Sequence, residues 1–160
     1  MTINITDTKI DDDGVPTEKN ALQMLRKLAC LNARGRVPLT LPKFNDLTMD
    51  QNNTLFNDGV NTFLEFPENM KAKAYRAAMK MIAKLWRNHK SKLVNEYMAK
   101  ELEPFSKYPY IKREDWEAFM VLKSSETFQM ESSAKKQLRA KNKQNHNLGT
   151  CRYVGKRDKW

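Results

Sequence analysis

Tyr75, Met79, Ile82, Trp86 and Leu93 follow one another at spacings of four, three, four and seven residues. Such spacings bring apolar side chains to one face of a helix, so this stretch predicts a long amphipathic helix. Pro67 suits its first turn, and Glu68 stands where the helix dipole favours an acid. The helix is expected to reach about Lys100 and to stop by Pro104. A second stripe, Leu22, Leu25, Leu28 and Ala29, predicts a helix from an N-cap at Thr17 to about Asn32, closed by Arg34-Gly35. Val37 to Leu41 reads as a short extended piece, and Pro38 and Pro42 exclude it from a central strand.

The patterning elsewhere is weaker. Asn45 to Glu65 is rich in Asn and Asp, with Leu47, Leu55, Phe56, Val60 and Phe63 scattered through it. It predicts loop, with one turn of helix at most. Phe105 to Ile111 is an aromatic loop, and Lys112 to about Asn145 reads as helical with a break near Ser124-Ser125. Trp116, Phe119 and Met120 are its packing end. The distal half is polar all round, and such a helix is either held by a partner or frays. Together these segments predict a small, irregular all-α domain. Its expected core is Leu22, Leu25, Leu28, Tyr75, Met79, Ile82, Trp86, Leu93, Trp116, Phe119 and Met120. Residues 1–16 read as a disordered acidic N-terminus, 17–145 as the helical region and 146–160 as an extended basic tail.

Charge adds a second layer to this picture. The net charge is +10 over 160 residues, but it is concentrated in blocks. Asn69 to Asn95 carries eight Lys/Arg and no acid; Ser132 to Trp160 carries nine against Asp158 alone. At about 100° per residue, Arg76, Lys80, Lys84, Arg87 and Lys90 fall in one arc beside the apolar stripe. Lys73 extends the same run. One face then suits a core and another suits an anion, of which a phosphate backbone is the commonest. Lys136, Arg139, Lys141 and Lys143 form the second candidate set, an arm that orders on nucleic acid or a nuclear-localisation patch. A plain solvated helix face is the alternative for both blocks.

The chemistry-bearing residues are sparse. His89 and His146 are far apart, and His89 sits on the stripe between Trp86 and Leu93, where a partly buried structural role is expected. Cys30 and Cys151 make neither a metal-spaced cluster nor a disulfide framework, which points to a reducing compartment. No P-loop, GxGxxG, GxSxG or HExxH occurs. Asp11-Asp12-Asp13 lacks the separated partners of a two-metal site. No apolar run approaches the roughly 20 residues of a membrane span. The expectation is a chain without catalytic residues, cofactor, metal, membrane anchor or small-molecule substrate.

The order of motifs also resembles a known family. Trp86, Arg87, Lys90, Ser91 and Leu93 spell W-R-x-x-K-S-x-L; Trp116 and Phe119 follow as W-x-x-F; then come Ser132, Lys136, Arg139, His146, Gly149 and Tyr153. This succession is similar to that of plant transposon-associated proteins of the Ptta/En/Spm transposase-like family. The opening from Lys19 to Leu47 resembles that family as well, so the likeness spans about Lys19 to Tyr153. Between Leu47 and Phe66 the chain is shorter than the family pattern. The resemblance implies transposon origin and a nuclear location, while the motifs present show no acidic catalytic triad. The expected function is a non-catalytic module binding duplex DNA, with RNA as a second candidate. Two alternatives stand beside it. One is helix-mediated self-association, or association with another transposon-encoded protein, through the 75/79/82/86/93 stripe. The other is a decayed element fragment without activity.

Overall fold

The computed structural model describes residues 8–142, and their architecture is all-α. Five helices succeed one another: α1 (Lys19–Gly35), α2 (Met49–Phe56), α3 (Lys71–Glu96), α4 (Arg113–Ser124) and α5 (Glu126–Lys141). The chain divides into two compact units, residues 1–121 and 122–160.

The first unit is built around α1 and α3. Helix α1 buries Ala21, Leu25, Leu28, Ala29, Asn32 and Ala33, a repeat that faces α3. Helix α3 buries Ala74, Ala78, Met79, Ile82, Ala83, Trp86, His89, Lys90 and Leu93. Alanines at 74, 78 and 83 widen the buried strip well beyond the large residues of the stripe. Tyr75 and Leu22 are half-buried. The larger core cluster joins α1, α2 and α3 and ends at Trp86; a second gathers Leu39, Leu93, Tyr108, Ile111, Trp116 and Phe119, with Met120 packed against it.

Several expectations give way here. Thr17 does not cap α1: its hydroxyl donates to the Lys9 carbonyl at 3.3 Å, and Glu18 takes the cap position without a side-chain bond. Residues 37–41 turn rather than extend, because the Leu41 amide bonds back to Pro38 at 3.4 Å while Val37 and Leu39 are buried. Most of the 45–65 region is helical. Thr48 Oγ1 accepts from the Gln51 amide and Gln51 Oε1 accepts from the Thr48 amide, a reciprocal capping box that opens α2. A π-type turn over Asn57–Asn61 continues it and buries Gly59 and Val60.

The described part of the N-terminus, residues 8–16, is structured. Asp11 Oδ1 accepts from the amides of Asp13 and Val15, and Ile10 bridges Pro16. Thr8, Gly14 and Pro16 are buried. Gly14 has φ of +83°, and a Cβ there would collide with the Lys73 carbonyl at the start of α3.

In the second unit, Ser125 breaks the helical run and caps α5, its hydroxyl accepting from the Phe128 amide. No residue of α5 is buried.

Candidate nucleic-acid interface

Helix α3 is placed by what its buried side touches. Trp86 is 2 % exposed, and its indole Nε1–H donates to the Pro38 carbonyl at 3.2 Å. The ring lies 5.9 Å from Phe44, and Phe56 meets Tyr75 edge-on at 5.2 Å. These contacts fix the rotation of the helix about its axis, and therefore which residues face water.

The water-facing side carries Arg76, Lys80, Lys84 and Arg87, all exposed, with Lys73 half-buried at the N-terminal end of the row. Counted at about 100° per residue, the five fall within an arc of about 80°. Consecutive members from Arg76 to Arg87 rise along the axis by about 4 to 6 Å. The acids at the two ends of this helix are engaged, Glu68 with Lys71 at 3.5 Å and Glu96 with Lys92 at 3.7 Å, and the exposed Asp11, Asp12 and Asp13 belong to the segment whose Gly14 seats against Lys73. Among the described residues, none of Lys73, Arg76, Lys80, Lys84 and Arg87 forms an ion pair. A row of cations without counter-carboxylates creates a field that attracts polyanions.

Lys90 does not belong to this face. It is only 6 % exposed, its Nζ donates to the Leu41 carbonyl at 2.8 Å, and the same ammonium lies 4.0 Å from the centre of the Trp86 ring. By helical angle Lys90 stands about 40° from Arg76 on the core side, so the turn at 38–41 covers it. It serves as a strut between α3 and that turn, not as a phosphate contact. Sequence spacing alone could not separate it from Arg87, because the arc containing Lys90 is closed only by residues about 50 positions earlier in the chain.

His89 is buried at 4 % exposure, its ring edge-on to Tyr108 at 5.0 Å. Neither ring nitrogen has a hydrogen-bond partner among the described residues. Burial, with Arg34 and then Lys92 adding like charge, lowers its pKa to about 4. The imidazole is therefore neutral near pH 7 and contributes no charge to an anion site. Asn32 is a second buried polar residue, unforeseen from sequence. Its Nδ2 donates to the carbonyls of Leu28 and Gly59 at 2.8 and 3.0 Å, and a Cβ on Gly59 would collide with its amide.

On α5, Lys136, Arg139 and Lys141 are exposed, but they do not share a face. Lys136 and Arg139 lie on the side away from Met130 and Leu138, whereas Lys141 lies in line with those two. Lys143 is outside the described residues, as are His146, Gly149, Tyr153 and the expected tail. A cavity of about 440 Å³ lined by Arg36, Leu47, Asp50, Gln51, Thr54 and Leu55 offers one carboxylate and neither His nor Cys, a poor set for acid–base or nucleophilic chemistry. Among the described residues no three metal-ligating side chains gather, and no helix is long and apolar enough to cross a membrane. Compared with known proteins, the chain matches no family model, and no curated protein or solved structure is significantly similar to it.

Proposed function

We propose that the chain binds nucleic acid, preferentially duplex DNA, through the solvent face of α3, as a non-catalytic module of a plant transposon-derived protein acting in the nucleus. The observation that carries this reading is the row Arg76, Lys80, Lys84 and Arg87, exposed on one side of a helix whose other side is buried. Phosphate contacts of this kind carry little sequence information, so weak sequence preference is expected. The transposon assignment rests on the ordered W-R-x-x-K-S-x-L and W-x-x-F motifs. Several of those residues also have structural work: Trp86, Lys90 and Leu93 fasten α3 in place, which leaves Arg87 as the exposed, charged member of the first motif.

A binding titration against duplex DNA at several salt concentrations tests the reading. Each neutralised phosphate lowers log K by roughly 0.9 per unit of log salt, so the four exposed cations predict a slope of about −3 to −4. Arg87→Ala is expected to shallow the slope by about one while leaving the melting temperature unchanged. Lys90→Ala is expected to do the reverse: an unchanged slope, with a stability loss of about 1–3 kcal/mol from the stranded Leu41 carbonyl and the emptied contact on Trp86. Absence of binding at low salt, or a slope indifferent to Arg87, refutes the assignment.

A further inference from the structure

Helix α5 has no buried residue, yet it presents Met130 and Leu138 at 66 % and 68 % exposure. A helix of 16 residues that buries none of them, with only Phe128 and Ser132 half-buried, is marginal in water. Its exposed residues Met130, Ala134 and Leu138 step by four and lie in one narrow arc, with Thr127 and Lys141 prolonging it and the half-buried Phe128 on another side. Its charge is polar along the axis. Glu126 and Glu131 occupy the first half, and Lys135, Lys136, Arg139 and Lys141 the second.

We propose that α5 pairs with the α5 of a second copy of this chain, antiparallel and centred on Ala134. In that register Met130 packs against the partner's Leu138, and Ala134 lets the two backbones approach. Counting outward from Ala134, Glu131 stands level with the partner's Gln137, two residues from the partner's Lys135 on the same flank of the seam, and Glu126 stands level with the partner's Asn142, one residue from the partner's Lys141. The two-fold axis repeats both pairs, so one interface holds four complementary contacts. Within a single helix the Glu131–Lys135 pair is loose, at 3.7 Å and with both side chains mostly exposed. A partner gives each of those groups a second counter-ion. Parallel pairing is excluded on the same grounds, because it sets Glu126 against Glu126 and Lys141 against Lys141. Lys136 and Arg139 remain on the outer side, away from the seam. The seam uses none of the α3 cations, and the proposal does not depend on the nucleic-acid reading.

The test is the mass of the full chain in solution, without DNA, by sedimentation equilibrium from about 10 µM to about 1 mM, the range suited to a small interface. The expected result is a rise from 18.7 kDa toward twice that value. Two charge-reversed variants identify the surface and its direction. Glu126→Lys with Glu131→Lys gives a helix whose four seam charges are all positive, and Lys135→Glu with Lys141→Glu gives one whose four are all negative. Each alone is expected to self-associate about tenfold more weakly or worse, since like charges across an interface disfavour pairing. An equimolar mixture is expected to pair at least as tightly as the original chain, which also shows that both variants retain a competent α5. A wild-type chain that stays monomeric throughout this range overturns the proposal. So do variants that associate like wild type, or a mixture that fails to pair.

Discussion

At the residue scale, neighbours on α3 have opposite fates. Arg87 and Lys90 are one turn apart and chemically alike, but one meets water and the other the Leu41 carbonyl. The difference comes from a turn held by the Trp86 indole on Pro38, a contact across 48 residues of sequence. His89 is the titratable group with the clearest consequence. Its folded pKa of about 4 lies below the ordinary 6.5, so the unfolded chain binds the proton more readily. The stability that the neutral ring supplies is fully present above pH 6.5 and is lost as pH falls toward 4. A pKa difference of this size corresponds to a loss of roughly 3 kcal/mol by the bottom of that window. Denaturant titrations at pH 7 and pH 4.5 are expected to show most of that loss in the wild type. His89→Phe removes this component of the slope; an equal pH dependence in the variant would assign it to other groups.

At the scale of elements, the long helices form where their apolar periodicity lies, and the shorter pieces depend on caps and close contacts. Helix α2 escaped a reading based on periodicity because eight residues hold barely two turns, and only Leu55 and Phe56 are buried. The signal was nevertheless in the sequence, as Thr48 followed three residues later by Gln51. The 8–16 segment is the opposite case. Its acids suggested disorder, but Asp11 spends its carboxylate on local amides and Gly14 seats the turn against α3. Gly14→Ala is therefore expected to destabilise the first unit by about 1–3 kcal/mol, since the alanine meets both a positive φ and the Lys73 carbonyl. Thermal unfolding checks this, and an unchanged midpoint would show that the segment is not docked.

At the scale of the whole molecule, the two units differ in how they are held. The first has two apolar core clusters, while α5 in the second buries none of its residues. Amide hydrogen exchange at low micromolar concentration is expected to protect α3 strongly and α5 weakly, because exposed helices open locally at small cost. Equal protection of both would contradict this division of stability. The 75/79/82/86/93 stripe is part of the interior of the first unit, with Tyr75 at its margin, so it is spent on the chain's own packing.

The sequence alone determined the all-α class, the long basic helix, the break at Ser124-Ser125 and the side of α3 that packs. These follow from periodicity and breakers, which act over a few residues and are written locally. It also located the cationic block, since charge is a property of composition. What only the tertiary structure decided is where each cation ends up: Arg76, Lys80, Lys84 and Arg87 in water, Lys90 over an indole and under a carbonyl. The burial of Asn32 against Gly59 and the docking of Gly14 on α3 belong to the same class. Each depends on segments tens of residues apart meeting within a few ångströms. Local patterning constrains the rotation of a helix but not what covers it, and burial is decided by the cover.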